Sequence, residues 1–429
     1  MAWSNAQDRF VGEWKDGVAF YVYPTRRFKT VTIHATWIRD LSTVDRSKGA
    51  TLAQVMRQGT RSWPTRQLMA ARLEDLYGAS FRADIAKLGD KQLLSFHITV
   101  TNGRFLPGQP DTVREALDFL TQVLDRPYLV DGVFPRTVVE QEKTLVKRQI
   151  AAIINDKGQY AMSRLIELVA DGQPFGLRKL GTEQEVDQIT ERDLTTFYQE
   201  VHRGAPFVFT VVGDVDADVL YQHVKERWGT SRQEFSAVVP YQGRHQNQTV
   251  VEAQDVRQGK LNLAYRTGRT AKSADFPALV MYSGILGGFS HSKLFINVRE
   301  KASLAYYAYS RVDPALGLLM IGAGIEFNDY QACRSIIEDQ VAAMRRGDFT
   351  DDELAFTLKA YENDILSEED SPGQLIGRHL EYLLVGGGHQ GPDLIAALAQ
   401  VTRDDVVNVA QAIDLDTVYF LTSKEVHES

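Results

Sequence analysis

The stretch Gln188-Ile189-Thr190-Glu191-Arg192-Asp193-Leu194 returns in character as Gln400-Val401-Thr402-Arg403-Asp404-Asp405-Val406. Each copy is followed by an amphipathic run and then by an apolar strand, Phe207 to Gly213 in one case and Thr417 to Thr422 in the other. A second echo pairs the stretch opened by Phe134, through Val138, Gln141 and Leu145, with the one opened by Phe349, through Glu353 and Leu358. Both echoes keep a near-constant offset of a little over two hundred residues. A period of that size points to duplication of one α+β unit, since a fixed spacing between faint likenesses is the mark of a repeated fold.

Around these anchors the first half supplies strands and helices in turn. Val31, Ile33, Ala35 and Trp37 alternate with Thr32, His34 and Thr36, and Phe96, Ile98 and Val100 alternate with His97 and Thr99. That period of two predicts half-buried strands. Between them, helices are expected over Ala50 to Gln58, stopped by Gly59, and over Leu68 to Tyr77, stopped by Gly78. A long helix is expected from Pro135 to beyond Ile150, with proline in its first turn. From Thr230 to Gln248 the pattern lapses into turn formers and polar residues, which reads as a linker. The sequence thus predicts an N-terminal domain over 1–230, a linker over 231–248 and a C-terminal domain over 249–429. Each is expected to be an antiparallel sheet with helices on one face.

Composition narrows the function. The 429 residues are 44% hydrophobic and 24% charged, an ordinary globular balance. With 48 basic and 56 acidic residues the net charge is −8, so no global field draws nucleic acid or anionic lipid. The single cysteine, Cys333, excludes an intrachain disulfide framework and a cysteine-rich zinc site. Met1 to Gln7 has no basic patch leading into an apolar run, so no signal peptide is expected, and the single cysteine agrees with a reducing compartment. The apolar run Leu316 to Ile325 is well below the roughly 18 residues of a membrane span and reads as a buried strand.

Common catalytic motifs are missing. The nine histidines, at 34, 97, 202, 223, 245, 291, 379, 389 and 427, include no two that stand four apart as ligands on one helix face would. There is no HExxH, HxxEH or CxxC, no Walker loop and no G-x-S-x-G. His34 and His97 read as solvent-facing strand residues rather than a metal pair, for want of a third ligand. Gly386-Gly387-Gly388 reads as a flexible loop, because no strand and helix frame it as a phosphate cradle.

Several motifs, in order along the chain, resemble insulinase-type (pitrilysin-like) zinc peptidases. Pro174-Phe175-Gly176, Gly181-Thr182-Glu183, Phe197-Tyr198 and Val211-Val212-Gly213-Asp214-Val215 are similar to the later part of that family's N-terminal domain. Leu286-Gly287-Gly288, Ser292-Lys293-Leu294-Phe295, Val298-Arg299-Glu300-Lys301 and Leu304-Ala305-Tyr306-Tyr307 are similar to its C-terminal domain. The resemblance implies two homologous α+β domains.

Active members carry an inverted motif, HxxEH, on a helix that ends in a Gly-Thr turn. Histidines at i and i+4 hold zinc, and the intervening glutamate polarises the bound water. Aligned on Gly59-Thr60, this sequence has Ala50 and Gln54 at the histidine positions and Ala53 at the glutamate. Gln149 stands where the resemblance implies the third ligand, a glutamate, and a neutral amide is a poor zinc ligand. Glu142, two turns earlier, matches a second glutamate of the pattern and reads as a surface residue. No catalytic or metal-binding residue is therefore expected in this chain on its own. In the family an arginine and a tyrosine seven residues on, in the C-terminal domain, bind substrate backbone and the developing oxyanion. Arg299 and Tyr306 match that pair. Seven residues are two helical turns, so a helix would present both donors on one face.

These readings imply a non-catalytic subunit that needs no cofactor itself, zinc being supplied by a partner chain. The partner would be an HxxEH-bearing homologue in a heterodimer, or a second copy in a homodimer, and the substrate a peptide or protein. Tyr23-Pro24-Thr25-Arg26-Arg27-Phe28-Lys29-Thr30, Leu73 to Phe81 and Phe289 to Phe295 resemble a subgroup of Gram-positive bacteria associated with 5-aminopentanol modification of elongation factor P. The alternative is a scaffold or peptide-binding protein that uses the peptidase fold without any part in hydrolysis.

Overall fold

A computed structural model describes residues 9–229, 232–243 and 247–424. Met1 to Gln7, His245, His427 and part of the expected linker lie outside the described residues. The chain divides into two compact units: 1–151, 177–236 and 372–379 form unit 1, and 152–176, 237–371 and 380–429 form unit 2. Unit 2 thus takes the segment 152–176 from the first half of the chain, and unit 1 takes 372–379 from the second.

Among the described residues eleven strands, in chain order, are β1 (Val11–Lys15), β2 (Val18–Pro24), β3 (Thr30–Asp40), β4 (Ser80–Leu88), β5 (Lys91–Thr101), β6 (Phe207–Gly213), β7 (Gln248–Gln254), β8 (Gly259–Arg266), β9 (Ala305–Asp313), β10 (Leu318–Ile325) and β11 (Asp414–Ser423). The α-helices among the described residues run as α1 (Arg46–Val55), α2 (Arg66–Asp75), α3 (Thr112–Asp125), α4 (Arg136–Asn155), α5 (Lys157–Ala170), α6 (Glu183–Asp187), α7 (Glu191–Gly204), α8 (Ala217–Trp228), α9 (Phe276–Ser283), α10 (Tyr330–Arg346), α11 (Asp351–Glu368), α12 (Pro372–Val385), α13 (Gly391–Leu398) and α14 (Arg403–Gln411). Helix α1 begins four residues before the expected Ala50 and ends before Gln58. Its N-terminal turn carries Arg46 and Ser47, whose side chains bond Glu185 and so tie down a polar stretch that lacks a hydrophobic signal.

The two sheets share one plan. Unit 1 has the order β1-β2-β6-β3-β5-β4 and unit 2 the order β7-β11-β8-β10-β9. Without β1, each places its first, fifth, second, fourth and third strands side by side. Neighbours are antiparallel except for one pair in each sheet, β2 with β6 and β7 with β11, again the first and fifth strands. The repeated Gln-x-Thr-x-x-Asp stretch acquires a physical reason. Thr190 and Thr402 cap α7 and α14, accepting from the backbone N–H of Asp193 and Asp405, whose carboxylates accept in return. Phe134 and Phe349 are buried where α4 and α11 begin, Phe134 edge-on to Tyr198 and Phe349 under the Arg403 guanidinium.

In unit 1 Val31, Ile33, Ala35 and Trp37 of β3 are buried, and Trp37 meets Phe96 at 5.3 Å, Phe207 at 6.2 Å and His202 of α7 at 6.2 Å. The strand was expected to be half-buried, but Thr32, His34 and Thr36 are buried too. Cross-strand bonds satisfy them: Thr36 to Ser95 at 3.0 Å and Thr32 to Thr99 at 3.1 Å. In unit 2 the cluster of Leu261, Leu263, Leu319, Ile321, Val418 and Phe420 meets α9, α10 and α14 on one face of the sheet. The run that ends at Ile325 is β10, buried throughout. The opposite face receives α5. Glu252 of β7 anchors it, accepting from Tyr160 Oη at 2.6 Å and Arg164 Nε at 3.3 Å on α5, and from Tyr419 Oη at 2.9 Å on β11.

Candidate functional site

Three residues at the expected metal positions lie on α1 and are fully enclosed: Ala50, Ala53 and Gln54 are 1%, 0% and 6% exposed. The turn after this helix is tight. A Cβ on Gly59 would come within 2.6 Å of the Pro64 carbonyl oxygen, and Thr60 donates its N–H to Trp63 O at 2.8 Å. Gln149 is half-buried on α4. Glu142 differs from expectation. It is 7% exposed, and its Oε2 has no hydrogen-bond partner. The one-sided pattern of α4 hides this, because Glu142 sits in line with Val139, Val146 and Ile150 on the face turned inward. Burial raises its carboxyl above the ordinary range, while the guanidinium groups of Arg57 and Arg66 pull the other way.

This set does not fit zinc. The two alanines offer only methyl groups, and the amide oxygen of Gln54 already accepts from Arg57 Nη1 at 3.0 Å. One carboxylate, Glu142, remains, and burial raises it toward its neutral form more than the charges of Arg57 and Arg66 offset. Among the described residues no group of three or more His, Cys, Asp and Glu side chains could hold a metal ion. Sequence reasoning passed over Arg57, although its place three residues after Gln54, beyond the end of α1, was a usable signal.

His34 and His97 are not solvent-facing residues. They stand directly opposite in the register of β3 and β5, with His34 7% exposed, ring centroids 3.7 Å apart and His97 Nδ1 only 2.6 Å from His34 Nε2. One ring therefore donates and the other accepts, which requires an uncharged imidazole at the accepting end. Asp84 on β4 lies 3.5 Å from His97 Nε2, and Arg82 is opposite His97 in register. Burial holds both rings below the ordinary histidine value, His97 at about 4. Their mutual repulsion and Arg82 add to this at His34, whereas Asp84 opposes it at His97.

Arg299 and Tyr306 are both exposed in unit 2, but no single helix carries them. A wide helical turn over Phe295–Lys301 ends at Ala302, Ser303 takes a left-handed φ of 55°, and β9 starts at Ala305. The two-turn spacing therefore does not apply, since the chain changes from helix to strand between the two residues. The Arg299 guanidinium lies 4.6 Å from the Phe295 ring centre and 3.9 Å from the Glu300 carboxylate. Tyr306 donates its hydroxyl to Glu326 at 2.8 Å, a bond that raises its phenol above the ordinary value. Gly386, Gly387 and Gly388, all at positive φ, join α12 to α13 and so form a helix-to-helix loop rather than a phosphate cradle.

Two domains of one strand order, with a ligand-poor metal position on the helix before a Gly-Thr turn, define a class: an inactive homologue of a metallopeptidase. Residues 188–361 match the peptidase M16 inactive domain, and the chain belongs to that family. It is 34% identical over 428 residues to the probable inactive metalloprotease YmfF of Bacillus subtilis, covering 97% of this chain and 99% of that one. A crystal structure of a conserved protein from Enterococcus faecalis is similar with a TM-score of 0.89 at 28% identity, over 98% of this chain and 99% of the other. A protease from Helicobacter pylori shares the fold, with a TM-score of 0.79 at 17% identity over 97% and 100% of the two chains. No helix among the described residues is long and apolar enough to cross a membrane.

Proposed function

We propose that this inactive M16 homologue is the non-catalytic subunit of a two-chain zinc peptidase, pairing with an HxxEH-bearing homologue and lending Arg299 and Tyr306 to a peptide substrate. One observation carries the reading. Among the described residues unit 1 has no ligand set for zinc, while unit 2 presents a guanidinium and a phenol at its surface on either side of a helix-to-strand turn. Such donors suit a peptide carbonyl and the oxyanion that forms from it. A cytoplasmic setting and a part in elongation factor P modification rest on the resemblance of residues 23–30, 73–81 and 289–295 to that Gram-positive subgroup.

The scaffold reading draws support from a different observation: both donors have partners within the chain, Tyr306 on Glu326 and Arg299 beside Glu300. Co-purification with the homologue, followed by peptide turnover with Arg299→Ala and Tyr306→Phe, separates the two. Impaired turnover with intact assembly supports the subunit, and unchanged turnover supports the scaffold. Stoichiometric, tightly held zinc in the purified chain alone would sink both.

A further inference from the structure

The ten residues from Arg57 to Arg66, which follow α1, hold three arginines and no acid. Backbone bonds fold them tightly: Thr60 donates its N–H to Trp63 O at 2.8 Å, and Gly59 O accepts from Tyr128 N at 3.1 Å. Arg61 N donates to Arg126 O at 2.8 Å, which brings a fourth arginine alongside. Arg61, Arg66 and Arg126 are exposed, and Arg57 is half-buried with its Nη1 held by Gln54 at 3.0 Å. None of the four forms an ion pair among the described residues. The acids nearby are spent, for Asp125 is bound by His202, Arg227 and Trp228, and Glu115 by Arg72. Like charges gathered on one turn repel, so a counter-charge from outside the chain is favoured. We propose that this turn of unit 1 is a docking site for an acidic segment of a partner protein. Guanidinium forks match carboxylates two bonds at a time, and a short run of Asp or Glu presents several in a row. A nucleic acid would instead lay a long anionic backbone on a chain of net charge −8. The inference goes beyond the subunit reading and stands whether or not a zinc-bearing partner exists.

A fluorescein-labelled hexaglutamate peptide is the probe, read by anisotropy on the full chain at low ionic strength. Binding is expected to saturate and to weaken as salt is added, because salt screens exposed charges. Arg61→Gln, Arg66→Gln and Arg126→Gln together should weaken it at least about tenfold, each exposed charge pair contributing a few-fold. The thermal midpoint should stay the same or rise, since mutual repulsion is relieved. Arg203→Gln, Arg257→Gln and Arg311→Gln remove the same charge from exposed positions elsewhere, and should change the affinity by less than about twofold. Equal losses in the two threefold variants would overturn the proposal, as would tighter binding of a single-stranded oligonucleotide of equal charge. If the first threefold variant does not fold, Arg61→Gln and Arg66→Gln decide singly, each expected to weaken binding about two- to threefold. Unchanged affinity in both would equally overturn the proposal.

Discussion

Units 1 and 2 run their five common strands in the same spatial order, yet treat their polar chemistry in opposite ways. Unit 1 seals it in: Glu142 and His34 are each 7% exposed, and the alanines of α1 are closed off. Unit 2 leaves Arg299 and Tyr306 in water. A shared topology thus fixes where residues stand without fixing whether they can meet a substrate. Function has to be read from the sites and not from the fold.

The largest effect should come from breaking the open half of this contrast. In a complex with the zinc-bearing homologue, Arg299→Ala is expected to lower peptide turnover roughly 10² to 10³-fold, the usual consequence of losing an oxyanion donor. Because Arg299 is exposed, the thermal midpoint of the chain should stay within about a degree, as surface substitutions change stability little. Tyr306→Phe removes one hydroxyl and should act in the same direction. Unchanged steady-state rates in both variants would erase the functional difference between the units.

Next in size is the anchor of α5. Glu252 accepts from Tyr160, Tyr419, Gln254 and Arg164, so Glu252→Ala strands several donors and should cost about 2–3 kcal/mol. Urea unfolding measures the loss, and hydrogen exchange should locate it in α5. Burial alone would raise this carboxyl, but the hydroxyls of Tyr160 and Tyr419, the Gln254 amide and the Arg164 charge outweigh burial and hold it below its ordinary value. The stabilisation is therefore present above about pH 4.3 and lost as pH falls through the lower folded value.

The closed half of the contrast is tested by acid at higher pH. His34 and His97 are held neutral in the fold, whereas an unfolded histidine takes up its proton near pH 6.5. Unfolding then gains protons, so stability should fall as pH drops from about 6.5 towards the His97 value of about 4. For His97 the loss is on the order of 3 kcal/mol. His97→Gln should flatten the slope by one proton while keeping a bond to His34, and a slope identical to that of the native chain would mean the pair does not control it.

How much of this was legible in the sequence depended on whether the signal was local. The duplicated unit could be read because its caps and strands are written in consecutive residues, and Phe207–Gly213 falls on the expected strand. Ala50, Ala53, Gln54 and Gln149 were legible as poor ligands from residue type alone. What could not be read was burial decided by distant partners. Glu142 is hidden by the way α4 packs, and His34 by a partner 63 residues away. The change from helix to strand between Arg299 and Tyr306 turns on one left-handed residue, Ser303, which is neither glycine nor asparagine and so gave no warning.

The smallest effect probes the likeness of the units instead of their difference. Thr190 and Thr402 make the same reciprocal cap, and each hydroxyl also bonds the facing carboxylate at 2.6 Å. These bonds hold the carboxyls of Asp193 and Asp405 below their ordinary range. Removing either hydroxyl exposes one helical N–H and frees one carboxylate, which typically costs about 1 kcal/mol. If the two units are repeats in energetics as well as in topology, Thr190→Ala and Thr402→Ala should destabilise by the same amount within about 0.5 kcal/mol, and the double variant should be additive, as distant sites usually are. Chemical denaturation of the full chain gives all three values. A cost confined to Thr190 would mean that α14 is held by its packing, for Arg403 also binds the backbone of Gly347 and Phe349, and the two halves would then share a strand order but not the forces that maintain it.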